Sequence, residues 1–271
     1  MEDIKKRREG FEQLGKLYPG ASAVKVQQAT INGVNCYWFT PENPVKNKII
    51  VHLHGGVYAV GSILSHGSLV SHIAQKLNTT MVFVEYALAP EKPYPAANDD
   101  VFAVYTALLN DYPEHQIGFI GDSAGGGLIV ATVGELEKQN LKLPYAVAMI
   151  SPWISLLDSN PSQEANREKD PILSKEYLQS AARDYAGQHP VESVSPDQIR
   201  LSQFPPVLIV VGSNEILLDD SLNFYKLVRS LQPDATLTIY EGQNHVWPLS
   251  DISSEASGKL LAEMGSFFNN K

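Results

Sequence analysis

One cysteine, Cys36, stands among 271 residues, so no disulfide can form within the chain. Stability must come from buried apolar surface, which a chain of this length can supply as one domain. A single thiol fits a reducing compartment. No apolar run approaches the ~18 residues that a membrane-spanning helix needs. The opening stretch, MEDIKKRREGFEQLG, is charged and has no apolar segment, so no signal peptide and a cytoplasmic location are expected. Positive charge is also scarce: 21 Lys and Arg face 30 Asp and Glu, for a net charge of −9 at pH 7. That balance argues against nucleic acid or an anionic membrane surface as a partner. Internal repeats, low-complexity linkers, the G-x-G-x-x-G fingerprint and a Gly-Lys-Ser/Thr phosphate loop are all missing.

What is present is an alternation of two patterns. Strand-length apolar runs occur at VKVQQATI, VNCYWFT, KIIVHLH, TMVFVEY, QIGFIG, AVAMIS, PVLIVVG and ATLTIYE. Several are apolar throughout, as strands covered on both faces should be. Amphipathic stretches lie between them, at roughly 65–78, 96–110, 124–139, 174–187, 219–231 and 255–269. Strands alternating with helices predict an α/β domain over residues 1–271, with a mostly parallel sheet and helices on both faces. The first two runs meet at Asn32-Gly33 and predict an antiparallel hairpin. Two regions break the rhythm. Residues 1–22 carry a weak helical stripe of Ile4, Phe11, Leu14 and Tyr18, a candidate small cap over a site. Residues 151–205, rich in Ser, Pro, Asp and Glu, form a long insertion that reads as a lid or a helical decoration.

The stretch FIGDSAGGGLIVATV puts Ser123 between Gly121 and Gly125, where a strand pattern hands over to a helix pattern. Glycines there remove side chains that would collide in a sharp turn, and such a turn exposes a serine Oγ. The helix beginning at the turn adds the positive end of its dipole. A serine nucleophile needs N–H donors for a developing oxyanion. VHLHGGVYAVGS supplies a glycine-rich turn after a strand, and Gly56, Val57 and Ala124 are the candidate main-chain donors. His52 and His54 alternate on one strand face and read as hydrogen-bonded core residues, since no Cys/His cluster points to a metal site.

A base is also required. Of seven histidines, His245 in YEGQNHVWPL lies just past the last strand pattern, at the sheet edge where it could reach Ser123. The acid that orients it is expected at Glu215, at the apex of the loop after PPVLIVVG. Asp219 is the rival, although Asp219 and Asp220 fit the cap and first turn of the next helix better. Tyr58, beside the oxyanion turn, and Trp247, two residues past His245, are candidate pocket walls.

With these residues in place, the chain resembles the hormone-sensitive-lipase-like branch of the α/β-hydrolases, the bacterial carboxylesterases and acetyl esterases. HGGVYAVGS resembles the HGGG oxyanion segment of that branch, GDSAGG its elbow, and YALAPEKPYPAANDD its Y-R-L-A-P-E-x-x-[FY]-P-A-A-x-x-D run. SPW, PPVLIVVG and NHVW follow in the order of the branch, and the likeness spans about residues 48–250. The resemblance implies an α/β-hydrolase fold with an eight-stranded sheet, hydrolysis of short-chain esters, no cofactor or metal, and a triad of Ser123, Glu215 and His245. Val57 replaces the third glycine, Ala87 the usual arginine and Glu215 the commoner aspartate. Only about 50 residues precede the oxyanion segment, so a reduced N-terminal cap and an open acyl site are expected. Other readings of the same scaffold are a deacetylase or lactonase of one metabolite, or a ligand receptor without catalysis. An edge strand near 235–240 is the candidate surface for a homodimer.

Overall fold

A computed structural model describes residues 2–157 and 159–271. Met1 and Asp158, which fall inside the two irregular regions above, lie outside the described residues. The strands are β1 (Val24–Ile31), β2 (Val34–Pro41), β3 (Lys48–Leu53), β4 (Thr80–Val84), β5 (Gln116–Asp122), β6 (Val147–Ile150), β7 (Val207–Gly212) and β8 (Thr236–Tyr240). They form one eight-stranded sheet in the order β1-β2-β4-β3-β5-β6-β7-β8. β1 and β2 pair antiparallel around a turn whose Asn32 and Gly33 have φ of 46° and 85°, the left-handed geometry a two-residue hairpin requires. β2 also runs antiparallel to β4, and the remaining neighbours are parallel.

The central strands β3, β5, β6 and β7 are almost wholly buried, which is why their sequences are apolar without alternation. The longer helices are α1 (Glu2–Glu12), α2 (Ile63–Leu77), α3 (Ala96–Asp111), α4 (Ala124–Lys138), α5 (Lys175–Ala186), α6 (Leu218–Leu231) and α7 (Glu255–Asn269). Two apolar cores result. One lies under α3, α4 and α6 on one face; the other lies under α2 and α7 on the opposite face. No helix among the described residues is long and apolar enough to cross a membrane.

Residues 2–16 fold as α1 followed by a short 3-10 turn, and Arg8 fastens them down. Its guanidinium donates to the carbonyls of Ala59 and Ala89 and pairs with Glu91. Tyr18 donates to the Pro248 carbonyl. The insertion is tied as firmly. Asp220 accepts from the N–H groups of Ile154 and Ser155 and from the Asn160 amide. Asp170 accepts from the N–H groups of Ile172, Leu173 and Ile216, and the Asn166 amide donates to the carbonyls of Ser213 and Glu215. The insertion is therefore knitted to the loop that follows β7.

The helix after β5 can begin only because Gly125 has no side chain: a Cβ there would lie 2.0 Å from the Leu53 carbonyl oxygen. That neighbour is backbone at the end of β3 and cannot swing aside. Gly125→Ala is expected to destabilise the fold by roughly 3 kcal/mol, read as a lower urea midpoint with an unchanged slope. An unchanged midpoint would contradict this packing.

Candidate active site

β5 ends at Asp122 and α4 begins at Ala124, so Ser123 alone makes the turn. Its φ of 51° and ψ of −119° lie outside the comfortable regions for a residue with a Cβ. Such strain costs about 1–3 kcal/mol and persists where the surroundings dictate it. Here the Ser123 N–H donates to the Ile150 carbonyl, while the Ser123 carbonyl accepts from Gly126 and Trp153. The turn lifts Oγ out of the sheet, and the side chain faces His245.

His245 lies in the loop after β8. Its Nε2 is 2.9 Å from Ser123 Oγ, and its Nδ1 is 2.8 Å from Glu215 Oε2. Those partners select the tautomer: Nδ1–H donates to the carboxylate and Nε2 accepts from the serine hydroxyl. Glu215 is fully buried. Its other oxygen accepts from the Gly212 N–H and from the Ser151 hydroxyl. Burial pushes the His245 pKa down, but the Glu215 hydrogen bond and charge, helped by Asp170 and Asp122, outweigh burial and raise it above the ordinary imidazole value. Asp219 lies in the first turn of α6, with its carboxylate accepting from the Ser162 N–H. The structure thus brings Ser123, His245 and Glu215 together and leaves Asp219 in the first turn of α6.

The loop after β3 faces the same serine. Gly56, Val57 and Tyr58 have φ of 116°, 51° and 61°, a left-handed run that turns the chain sharply. The N–H groups of Gly56 and Val57 are not drawn into the loop's own hydrogen bonds, which run from Ala59 and Val60 to the Gly56 carbonyl. The N–H of Ala124 opens α4 and has no acceptor within the helix. Asp122, buried beside the elbow, accepts from the Gly55 N–H at 2.9 Å and from His66 Nε2 at 3.3 Å. Burial pushes the Asp122 carboxyl up, but His66, His52 and His54 outweigh it and hold the carboxyl below its usual range. Asp122 and His66 are not among the site residues expected from the sequence. The signal was a carboxylate beside the serine, which needs a cationic or N–H partner once buried.

His52 and His54 are fully buried, as core residues should be. His54 bonds the Gly55 carbonyl through Nδ1 and stacks on Tyr86. The expected hydrogen bonds fail for His52: neither ring nitrogen has a hydrogen-bond partner, Nε2 lies 3.6 Å from Asp122 Oδ1, and burial pushes its pKa down to about 4. It packs as a neutral ring against Phe83. Among the described residues, no group of three or more His, Cys, Asp or Glu is placed to hold a metal ion.

A cavity of about 300 Å³ opens at Ser123. Phe11 and Leu14 line it from the N-terminal segment, and Ile172, Leu173 and Tyr177 from the insertion. Val57, Val246 and Leu249 complete most of its apolar wall. The two expected wall residues are not among them. Tyr58 is 1% exposed and stacks on Tyr185 with ring centroids 3.9 Å apart; Trp247 packs on Tyr240 at 4.8 Å. The cause is local backbone: positive φ at Val57 and Tyr58, and at Val246, turns the next ring away from the cavity and into a core.

The sequence model of one family, described as alpha/beta hydrolase fold, matches residues 50–249. A crystal structure of an esterase from the bacterial hormone-sensitive lipase family superposes with a TM-score of 0.95 at 31% identity, covering 98% of this chain and 91% of that one. The chain is an α/β-hydrolase of the hormone-sensitive-lipase-like branch. Within that family it is 31% identical over 265 residues to an esterase of Acinetobacter venetianus, covering 95% of this chain and 86% of the relative. It is 30% identical over 248 residues to an acetyl-hydrolase of Streptomyces hygroscopicus, covering 90% and 83%.

The electrostatics of this α/β-hydrolase site can be read directly. In an NMR titration, the His245 imidazole is expected to titrate above an exposed histidine, and Glu215→Gln should lower its midpoint. A midpoint that did not move would mean that Glu215 does not set the charge of His245.

Proposed function

We propose that the chain is a serine carboxylesterase that hydrolyses short-chain acyl esters, from acetyl to roughly butyryl or hexanoyl. The observation that carries this reading is the relay Ser123 Oγ, His245, Glu215, which shares a small apolar cavity with the turn at Gly56 and Val57. The relatives named as an esterase and an acetyl-hydrolase support the same reaction class.

In the proposed cycle, His245 Nε2 takes the Ser123 proton as Oγ attacks the ester carbonyl carbon. Negative charge gathers on the carbonyl oxygen and is held by the N–H groups of Gly56, Val57 and Ala124. Glu215 stabilises the imidazolium that forms. The imidazolium then gives its proton to the leaving alkoxide, and the acyl group stays on Ser123. A water attacks the acyl carbon, His245 takes the water proton, and the acid leaves as Ser123 is reprotonated. The cycle uses only water and groups of this chain.

Cavity size supports the short acyl range. About 300 Å³ is at the small end for ligand pockets, which run from about 300 to 1,000 Å³. α1 and the insertion act as fixed walls of that cavity, because Arg8, Asp170 and Asp220 hold them in place.

Rates on p-nitrophenyl esters from acetate to dodecanoate test the proposal. Activity should peak at the shortest chains, and Ser123→Ala should lower kcat roughly a million-fold while leaving the fold intact. A Ser123→Ala protein with wild-type rates would end this reading. Glu215→Gln should cost far more in kcat than Asp219→Asn, and the reverse order would move the acid to Asp219. Removing the ring in Phe11→Ala should shift the preferred acyl chain to greater length. An unchanged profile would mean that Phe11 does not limit the acyl group.

A further inference from the structure

We infer that Ser151 is a positioning residue for the acid–base pair, acting through its hydroxyl on Glu215. The inference rests on the triad proposed above and adds a fourth side chain to it. Ser151 follows the last residue of β6, between the elbow after β5 and the acid loop after β7. It is fully buried. Its N–H donates to the Val210 carbonyl at 2.7 Å, which ties it to the strand leading to Glu215.

The hydroxyl has two partners, and together they bridge the acid and the base. Oγ donates to Glu215 Oε1 at 2.7 Å and accepts from the Val246 N–H at 3.2 Å. Val246 is the residue directly after His245. One side chain thus fixes the carboxylate rotamer and the backbone that carries the imidazole. Glu215 Oε1 has one further donor, the Gly212 N–H. Without the serine hydroxyl, the outer oxygen keeps a single donor, and the glutamate, with three side-chain torsions, gains freedom to turn from His245. The Val246 N–H would also be buried without an acceptor.

The backbone at Ser151 marks the same point. Its φ is 50°, in the left-handed region where glycine or asparagine is the ordinary choice. A serine is kept there at a conformational cost that glycine would remove. The hydroxyl is what the serine has and glycine lacks.

That contrast supplies the test. Ser151→Gly removes the hydroxyl and relieves the backbone, whereas Ser151→Ala removes the hydroxyl and keeps the strain. Both should lower kcat about tenfold, the worth of one hydrogen bond to a charged group, with KM nearly unchanged. The glycine variant should be no less stable than the alanine variant by urea unfolding. Glu215, less firmly held against His245, should support the imidazolium less, so the acid limb of the kcat/KM profile should move to lower pH in both variants. Glu215→Gln is measured alongside. If it collapses kcat while Ser151→Gly keeps wild-type kcat and the wild-type acid limb, the role of Ser151 is overturned and the triad stands. If Glu215→Gln itself keeps full activity, both fall.

Discussion

The constraint on which the rest depends is the single-residue turn at Ser123. A buried central strand must become a helix within one residue, and the helix must start against the backbone of β3. Only glycine at 125 lets α4 come that close, and the strained φ of Ser123 follows from that packing. The strain is local, but its support is not. The neighbouring strand β6 accepts the Ser123 N–H through Ile150, and the start of the insertion donates back through Trp153. The serine is thus held by the same contacts that hold the sheet together, which is how an uncomfortable conformation survives in a marginally stable fold.

Around that turn the molecule buries charge on both sides. On one side Asp122 is surrounded by His66, His52 and His54 and holds the Gly55 N–H, so the glycine turn sits against the elbow. On the other, Glu215 is saturated by His245, Gly212 and Ser151. Each carboxylate is costly to bury alone and is compensated by donors that also set the geometry of a loop. On the Glu215 side the two tasks meet in one ring: His245 pairs with the buried acid and faces Ser123.

Much of this was legible in the sequence. The eight strands follow the apolar runs closely, because strands buried on both faces cannot hide their composition, and the six amphipathic stretches match helices to within a residue or two. Ser123, Glu215 and His245 were readable because each sits at the end of a strand pattern, and parallel strands bring those ends to one edge. The cavity walls were not. Tyr58 and Trp247 lie next in sequence to site residues, yet positive φ turns both rings into the core. Ile172, Leu173 and Tyr177 reach the cavity from the insertion, through tertiary bonds of Asp170 and Asn166 that no local pattern encodes. Ser151 and Asp122 were missed for a related reason. Their roles are defined by partners 64 and 67 residues away, and only the folded chain reveals them.

The central claim is that Ser123 is a nucleophile activated by His245. Its most direct test is to treat the protein with a fluorophosphonate and map the adduct by mass spectrometry. The account predicts one phosphonyl group per chain on the peptide carrying Ser123, formed quickly in the wild type and very slowly in His245→Ala. A folded protein that takes up no label, or carries it on another residue, would contradict the account.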